Sequence, residues 1–197
     1  PEDHAAGIAS SLAKLAAVGF FCYGGLLAMQ TLWVGPWLMR VSGRDAVGAA
    51  TGLFWLNAGM LTVFWSWGLV TPWIARRGVQ DDRLIGWLVP LSLVLLASIV
   101  VLGPTAGAGH WALYCMSCSV ISLAQPAVGM AFDPALAGRA LSAYNLVIFT
   151  GVFVVQWGVG LVMDGFVAAG LSTPDAFRAA LAVFLALTTA FADLANV

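Results

Sequence analysis

Long uncharged runs divide this chain, and its few charged residues fall between them. Residues 15–39 and 46–75 contain no Asp, Glu, Lys or Arg. Residues 84–132 are also free of them, with a Gly-rich break, "GPTAGAG", at 103–109. Residues 140–163 form another such run, and a shorter one, apolar apart from Arg178, covers 176–192. A bilayer core needs about 20 apolar residues of helix, at about 1.5 Å rise per residue. The Gly-rich break splits 84–132 into two spans, so the pattern predicts six membrane-spanning helices. Strands fit the pattern poorly, because barrel strands alternate apolar and polar positions whereas these runs are apolar on all faces.

Composition agrees with that reading. The chain is 61% hydrophobic and 9% charged, with a mean hydropathy of +0.96, far from the charge content of a soluble domain. A net charge of −1 supplies no basic field for nucleic acid. The segment 1–14 is polar and partly acidic, unlike a signal peptide, and reads as the cytoplasmic end of a connecting segment in a longer chain. Lys and Arg set the orientation. With a cytoplasmic N-terminus, Lys14, Arg76, Arg77, Arg83 and Arg139 fall inside, against Arg40, Arg44 and Arg178 outside.

The second and fifth spans resemble each other. "GMLTVFWSWGLV" (59–70) and "GVFVVQWGVGLV" (151–162) align without gaps and share six of twelve positions, among them Gly59/Gly151, Trp65/Trp157 and Gly68/Gly160. The same offset pairs Gly78 with Gly170. Three helices separate the copies, so they cross the membrane in opposite senses. That predicts a 3+3 inverted repeat, with one three-helix unit over 15–103 and another over 107–193. Such repeats characterise secondary transporters, whose substrate sites lie near the midplane between them. Small-residue packing of two unrelated helices is the plainer alternative.

Neutral polar side chains stand out within the apolar runs. Tyr23 and Gln30 lie in the first span, Asn57 in the second, Tyr114 and Gln125 in the fourth, and Asn145 and Gln156 in the fifth. Asn145 and Gln156 are about three turns apart and share a helix face. No ionisable group lies deep in a span, the usual mark of a proton or ion path; Asp164 falls at the end of the fifth. Cys115, Cys118 and His110 lack the further ligands of a zinc site and read as packing residues. "GAATG" (48–52) reads as a close helix contact. No nucleophile elbow, phosphate loop, paired carboxylates or cofactor motif is present, so nothing indicates an enzyme.

Three stretches carry a family resemblance: "LLAMQTLWVGPWLMRVSG" (26–43), "GLVTPWIARRG" (68–78) and "AGRALSAYNLVIFTGVFVVQWGVGLVMDG" (137–165). The first is like a seventh helix with the Gly-Pro-Trp exit of many bacterial members. The third is like the eleventh helix with its preceding loop. Together they make the chain similar to the C-terminal six-helix half of a major facilitator superfamily transporter. The loop motif Arg76, Arg77 and Gly78 stands where that family carries G-x-x-x-D-R-x-G-R-R, a latch in the conformational cycle. Ala75 replaces its acidic residue and Thr71 its leading Gly, so the latch is weakened or rebuilt from Asp81 and Asp82. An ordinary positive-inside loop explains the same arginines.

The resemblance implies an all-α integral membrane fold, multi-pass in a cell membrane such as the bacterial inner membrane. Its partners would be the lipid bilayer, an N-terminal six-helix half and a small organic solute. It implies that the first, second, fourth and fifth helices face a central cavity while the third and sixth face lipid. Tyr23, Gln30, Asn57, Tyr114, Gln125, Asn145 and Gln156 would then line that cavity. Interhelical hydrogen bonding is the alternative role for each of them. The competing view of the whole is a stand-alone or homodimeric six-helix channel or structural subunit.

Overall fold

The computed structural model describes residues 16–130 and 132–195, and among them all regular structure is helical. The cytoplasmic segment expected over 1–14 lies outside the described residues. Six helices are long and apolar enough to cross a membrane. We label them α1 (Ala16–Arg40), α2 (Ala46–Ala75), α3 (Asp81–Leu102), α4 (Ala108–Met130), α5 (Pro134–Ala168) and α6 (Thr173–Ala195). The chain is thus a multi-pass helical membrane protein.

The ends of α5 differ from its apolar run. The helix has 35 residues, about 52 Å at 1.5 Å per residue, against a hydrocarbon core of about 30 Å. Hydropathy marks only the part suited to lipid. The helix itself starts with Pro134 in its first turn, where the missing N–H has no cost. It stops just before Gly170, whose φ of 96° suits glycine alone. Arg139 and Asp164 therefore lie within α5. Gly78, after α2, ends its helix in the same way with φ 82°.

Two helices are irregular. α1 contains wide π turns at Gly19–Tyr23 and Met29–Trp33, and α4 tightens to a 3-10 stretch at Ser119–Leu123. Each change alters the phase of the side chains that follow it.

Lipid tails are as apolar as leucine, so helix association here rests on van der Waals contact and hydrogen bonds rather than on expulsion from water. The closest approaches use glycine. A Cβ on Gly24 of α1 would stand 2.8 Å from the Ile148 carbonyl oxygen and 3.0 Å from the Gly151 carbonyl carbon of α5. One on Gly151 would strike the Phe20 carbonyl oxygen. On α2, Gly52 lies against Ala108, and Gly59 against the Met116 side chain of α4. Gly52 of the "GAATG" pattern is therefore a crossing point. Gly48 instead makes room beside Asp45, which caps α2 by accepting a hydrogen bond from the Gly48 N–H at 2.9 Å.

An aromatic knot closes one end. Trp37 is fully buried, and its ring meets Trp111 and Phe177 edge-on, with centroids 5.6 and 5.5 Å away. Its Nε1 donates to the Ala106 carbonyl at 3.0 Å, which also accepts from Ser42 Oγ at 2.8 Å. Edge-on aromatic pairs of this kind contribute about 0.5–1.5 kcal/mol each. Beside it Arg178 of α6 donates from Nε to the Val100 carbonyl at 3.1 Å, tying α6 to the end of α3. Positive charge is favoured at a helix C-terminus. Asp175 holds the guanidinium at 3.6 Å.

Gly151→Ala should lower stability by about 1–3 kcal/mol, because a Cβ there meets backbone that cannot rotate away. Gly68→Ala is the control, with open space around its Cβ. Thermal unfolding in detergent should separate the two, with Gly68→Ala at or above the parent.

Candidate functional site

The neutral polar residues form a row of three separate hydrogen-bonded pairs, which between them link α2, α1, α5 and α4. Gln30 Nε2 donates to Asn57 Oδ1 at 2.8 Å, joining α1 to α2. Gln156 Nε2 donates to Thr31 Oγ1 at 3.0 Å, joining α5 to α1. Gln125 Nε2 donates to Asn145 Oδ1 at 3.3 Å, joining α4 to α5. Asn57, Thr31 and Asn145 are exposed, and Gln30, Gln125 and Gln156 are half-buried. The pairs thus sit on the outside of this bundle, not in its core.

Successive residues of a helix project about 100° apart, so two adjacent residues within Met29–Trp33 serve two neighbours. Gln30 reaches α2 and Thr31 reaches α5. Thr31 also donates to the Leu27 carbonyl at 2.6 Å, and Asn57 Nδ2 donates to the Leu53 carbonyl at 2.8 Å. Each amide keeps unused donor or acceptor capacity.

Two of the expected residues lie elsewhere. Tyr114 is buried at 3% exposure, packed edge-on to Trp111 with centroids 5.9 Å apart, and does not reach the row. Tyr23 is half-buried and packs against the core between α1 and α5. Cys22, Cys115 and Cys118 are buried free thiols. Cys118 Sγ lies 3.6 Å from the Cys22 carbonyl oxygen, binding α4 to α1. Among the described residues no group of three or more His, Cys, Asp or Glu is placed to hold a metal.

The loop motif is exposed. Arg76, Arg77 and Gly78 all face outward, and the Arg77 guanidinium stacks on Trp73, 3.8 Å from the ring centroid. Among the described residues the one salt bridge is Asp175–Arg178, so Asp81 makes none with these arginines; the Asp82 side chain lies outside the description.

A groove of about 400 Å³ adjoins the row between α1 and α5. Leu32 and Trp33 line it from α1, and Phe153, Gln156, Trp157 and Asp164 from α5. Gly160 gives Trp33 its place, the ring carbons lying 3.6 Å from where a Cβ would stand. Trp33 Nε1 is buried without a hydrogen-bond partner. Thr31, Trp33, Trp157 and Asp164 were not singled out by the sequence as site residues. Thr31 and Trp33 reach Gln156 and its groove from α1, while Trp157 and Asp164 line it from α5 itself, and hydropathy carries no signal for the packing that brings the two helices together there.

No protein-family model, curated protein or solved structure matches the chain. The geometry itself therefore carries any functional reading.

The Gln30–Asn57 bond should show a coupling of about 0.6–2 kcal/mol, the range for amide pairs between membrane helices. A double-mutant cycle with Gln30→Leu and Asn57→Leu, read by unfolding in detergent, measures it. Additive effects would show the two side chains to be independent.

Proposed function

We propose that the chain is the C-terminal half of a secondary transporter of the major facilitator type, moving a small solute by alternating access. The observation that carries this reading is the row of neutral polar pairs on exposed surfaces of α1, α2, α4 and α5. Amides left at the edge of a bundle gain most if a second body completes a polar cavity over them, since lipid leaves their spare hydrogen-bonding groups unsatisfied. α2 and α5 also bury the smallest shares of their apolar stretches, 17% and 28%. Both helices thus offer surface to something beyond this bundle. An N-terminal six-helix half is the partner this reading assigns, with the N-terminus cytoplasmic in a cell membrane.

The contacts support the inverted repeat behind the proposal. Gly59 of α2 packs on Met116 of α4, and Gly151 of α5 packs close to Gly24 of α1. The repeat offset carries the first pair of positions onto the second. Gly78 and Gly170, paired by the same offset, both take positive φ. The irregular turns fall in α1 and α4, which correspond across the repeat. Interrupted helices in matching positions of two repeats point to the binding site of such transporters. Substrate would act by favouring an occluded state over the open ones.

Replacing Asn145 and Gln156 together by Leu should cut solute uptake by the full-length protein about tenfold or more, as expected for lost hydrogen bonds to a bound solute. Membrane insertion should be unchanged. Unaltered uptake kinetics across a solute panel would remove both residues from the site. A reading frame encoding six further helices before residue 1 is the genetic counterpart of the test; an in-frame start beside residue 1 favours a stand-alone or homodimeric protein.

A further inference from the structure

We propose that the groove between α1 and α5 recognises small organic ammonium cations, with Asp164 as counter-ion and Trp33, Phe153 and Trp157 as its aromatic lining. The proposal deepens the transporter reading and rests on it for the fate of the bound cation, although binding itself can be tested apart from transport.

Size, lining and charge all point the same way. The groove holds about 400 Å³, within the roughly 300–1,000 Å³ of small-molecule sites. Three of its lining residues are aromatic. The rings of Phe153 and Trp157 run nearly parallel, with centroids 6.5 Å apart and planes inclined by 22°. Aromatic faces attract cations through their quadrupole, most strongly for Trp, and favour an ammonium whose methyl or methylene body also buries apolar surface. A bare metal ion or a strongly hydrated inorganic cation has no such body to bury.

The charge of the groove is one-sided. Among the described residues Asp164 is the only ionisable one lining it, and no Lys, Arg or His does so. Among the described residues the one salt bridge lies elsewhere, between Asp175 and Arg178, so no bridge ties up the Asp164 carboxylate. A carboxylate beside aromatic faces attracts an organic cation, is indifferent to its neutral isostere and repels an anion. Gln156 lies about two turns before Asp164 on α5. Its Nε2 is committed to Thr31, which leaves Oε1 as an acceptor toward an N–H or hydroxyl of the ligand. Gly160, whose Cβ position faces the Trp33 ring, keeps the groove open beside these groups.

Equilibrium binding of radiolabelled choline to the full-length protein in lipid nanodiscs tests the site. The competitors are 3,3-dimethylbutan-1-ol, the neutral carbon isostere, and 3,3-dimethylbutanoate, its anionic relative. Choline should bind saturably, and the neutral isostere about tenfold or more weaker. Asp164→Asn, an isosteric change at an exposed position, should weaken choline by a similar factor, and Trp157→Ala should weaken it several-fold. Equal competition by the neutral isostere, preference for the anion, or unchanged affinity in Asp164→Asn overturns the cation site. Asp164-dependent choline binding without uptake of any solute upholds the site and defeats the transporter reading. Uptake of another solute, insensitive to choline and to Asp164→Asn, keeps the transporter and defeats the cation site.

Discussion

Close approach at glycines, against bare backbone between α1 and α5, holds this bundle together. In a bilayer no hydrophobic push brings helices into register, so the attraction must come from atoms placed at van der Waals distance. Gly24 and Gly151 let α1 and α5 approach until a single added Cβ on either would meet backbone. Gly52 and Gly59 let α2 approach α4 against side chains, those of Ala108 and Met116. The aromatic knot of Trp37, Trp111 and Phe177 then fixes one end. Tight packing there and looser, exposed faces on α2 and α5 are two sides of one arrangement.

That constraint shapes the polar chemistry. A membrane helix cannot leave backbone groups to water, so irregular turns survive only where neighbours or side chains satisfy them. The π turn at Met29–Trp33 sits between α2 and α5, and its residues Gln30 and Thr31 are bonded to both. The same turn sets Trp33 against Gly160. The Gln30 and Thr31 bonds and the Trp33 contact thus all fall on one irregular stretch of α1. Helices α3 and α6 offer no comparable side chains. They serve the frame, as the Arg178 bonds to Val100 and Val101 illustrate.

The charged loop after α2 follows a separate logic. Arg76 and Arg77 remain outside the bundle because their desolvation in lipid is costly. Arg77 rests on Trp73, an aromatic of the kind that anchors helices at the membrane boundary. Gly78 ends the helix with a conformation few other residues adopt. Position and backbone shape here come from solvation and chain reversal, whether or not the loop also serves as a latch.

Much of the fold was legible in the chain. Four uncharged runs, one split by a Gly-rich break, and a shorter run broken only by Arg178 gave six helices, because the cost of placing charge in lipid is large and local and so is written in composition. The seven polar candidates were visible for the same reason, each an exception within an apolar run. Their partners were not visible. Asn57 and Gln30 are far apart in sequence, and Tyr114 shares the composition of the others yet points into the core. The true ends of α5 depended on Pro134 and Gly170 rather than on hydropathy. Sequence alone thus determined which segments enter the membrane and which side chains are polar there. Only the tertiary structure decided which of them meet, because a π turn in α1 and two glycine crossings set the phase and separation of the helices, and neither leaves a periodic trace in the residues.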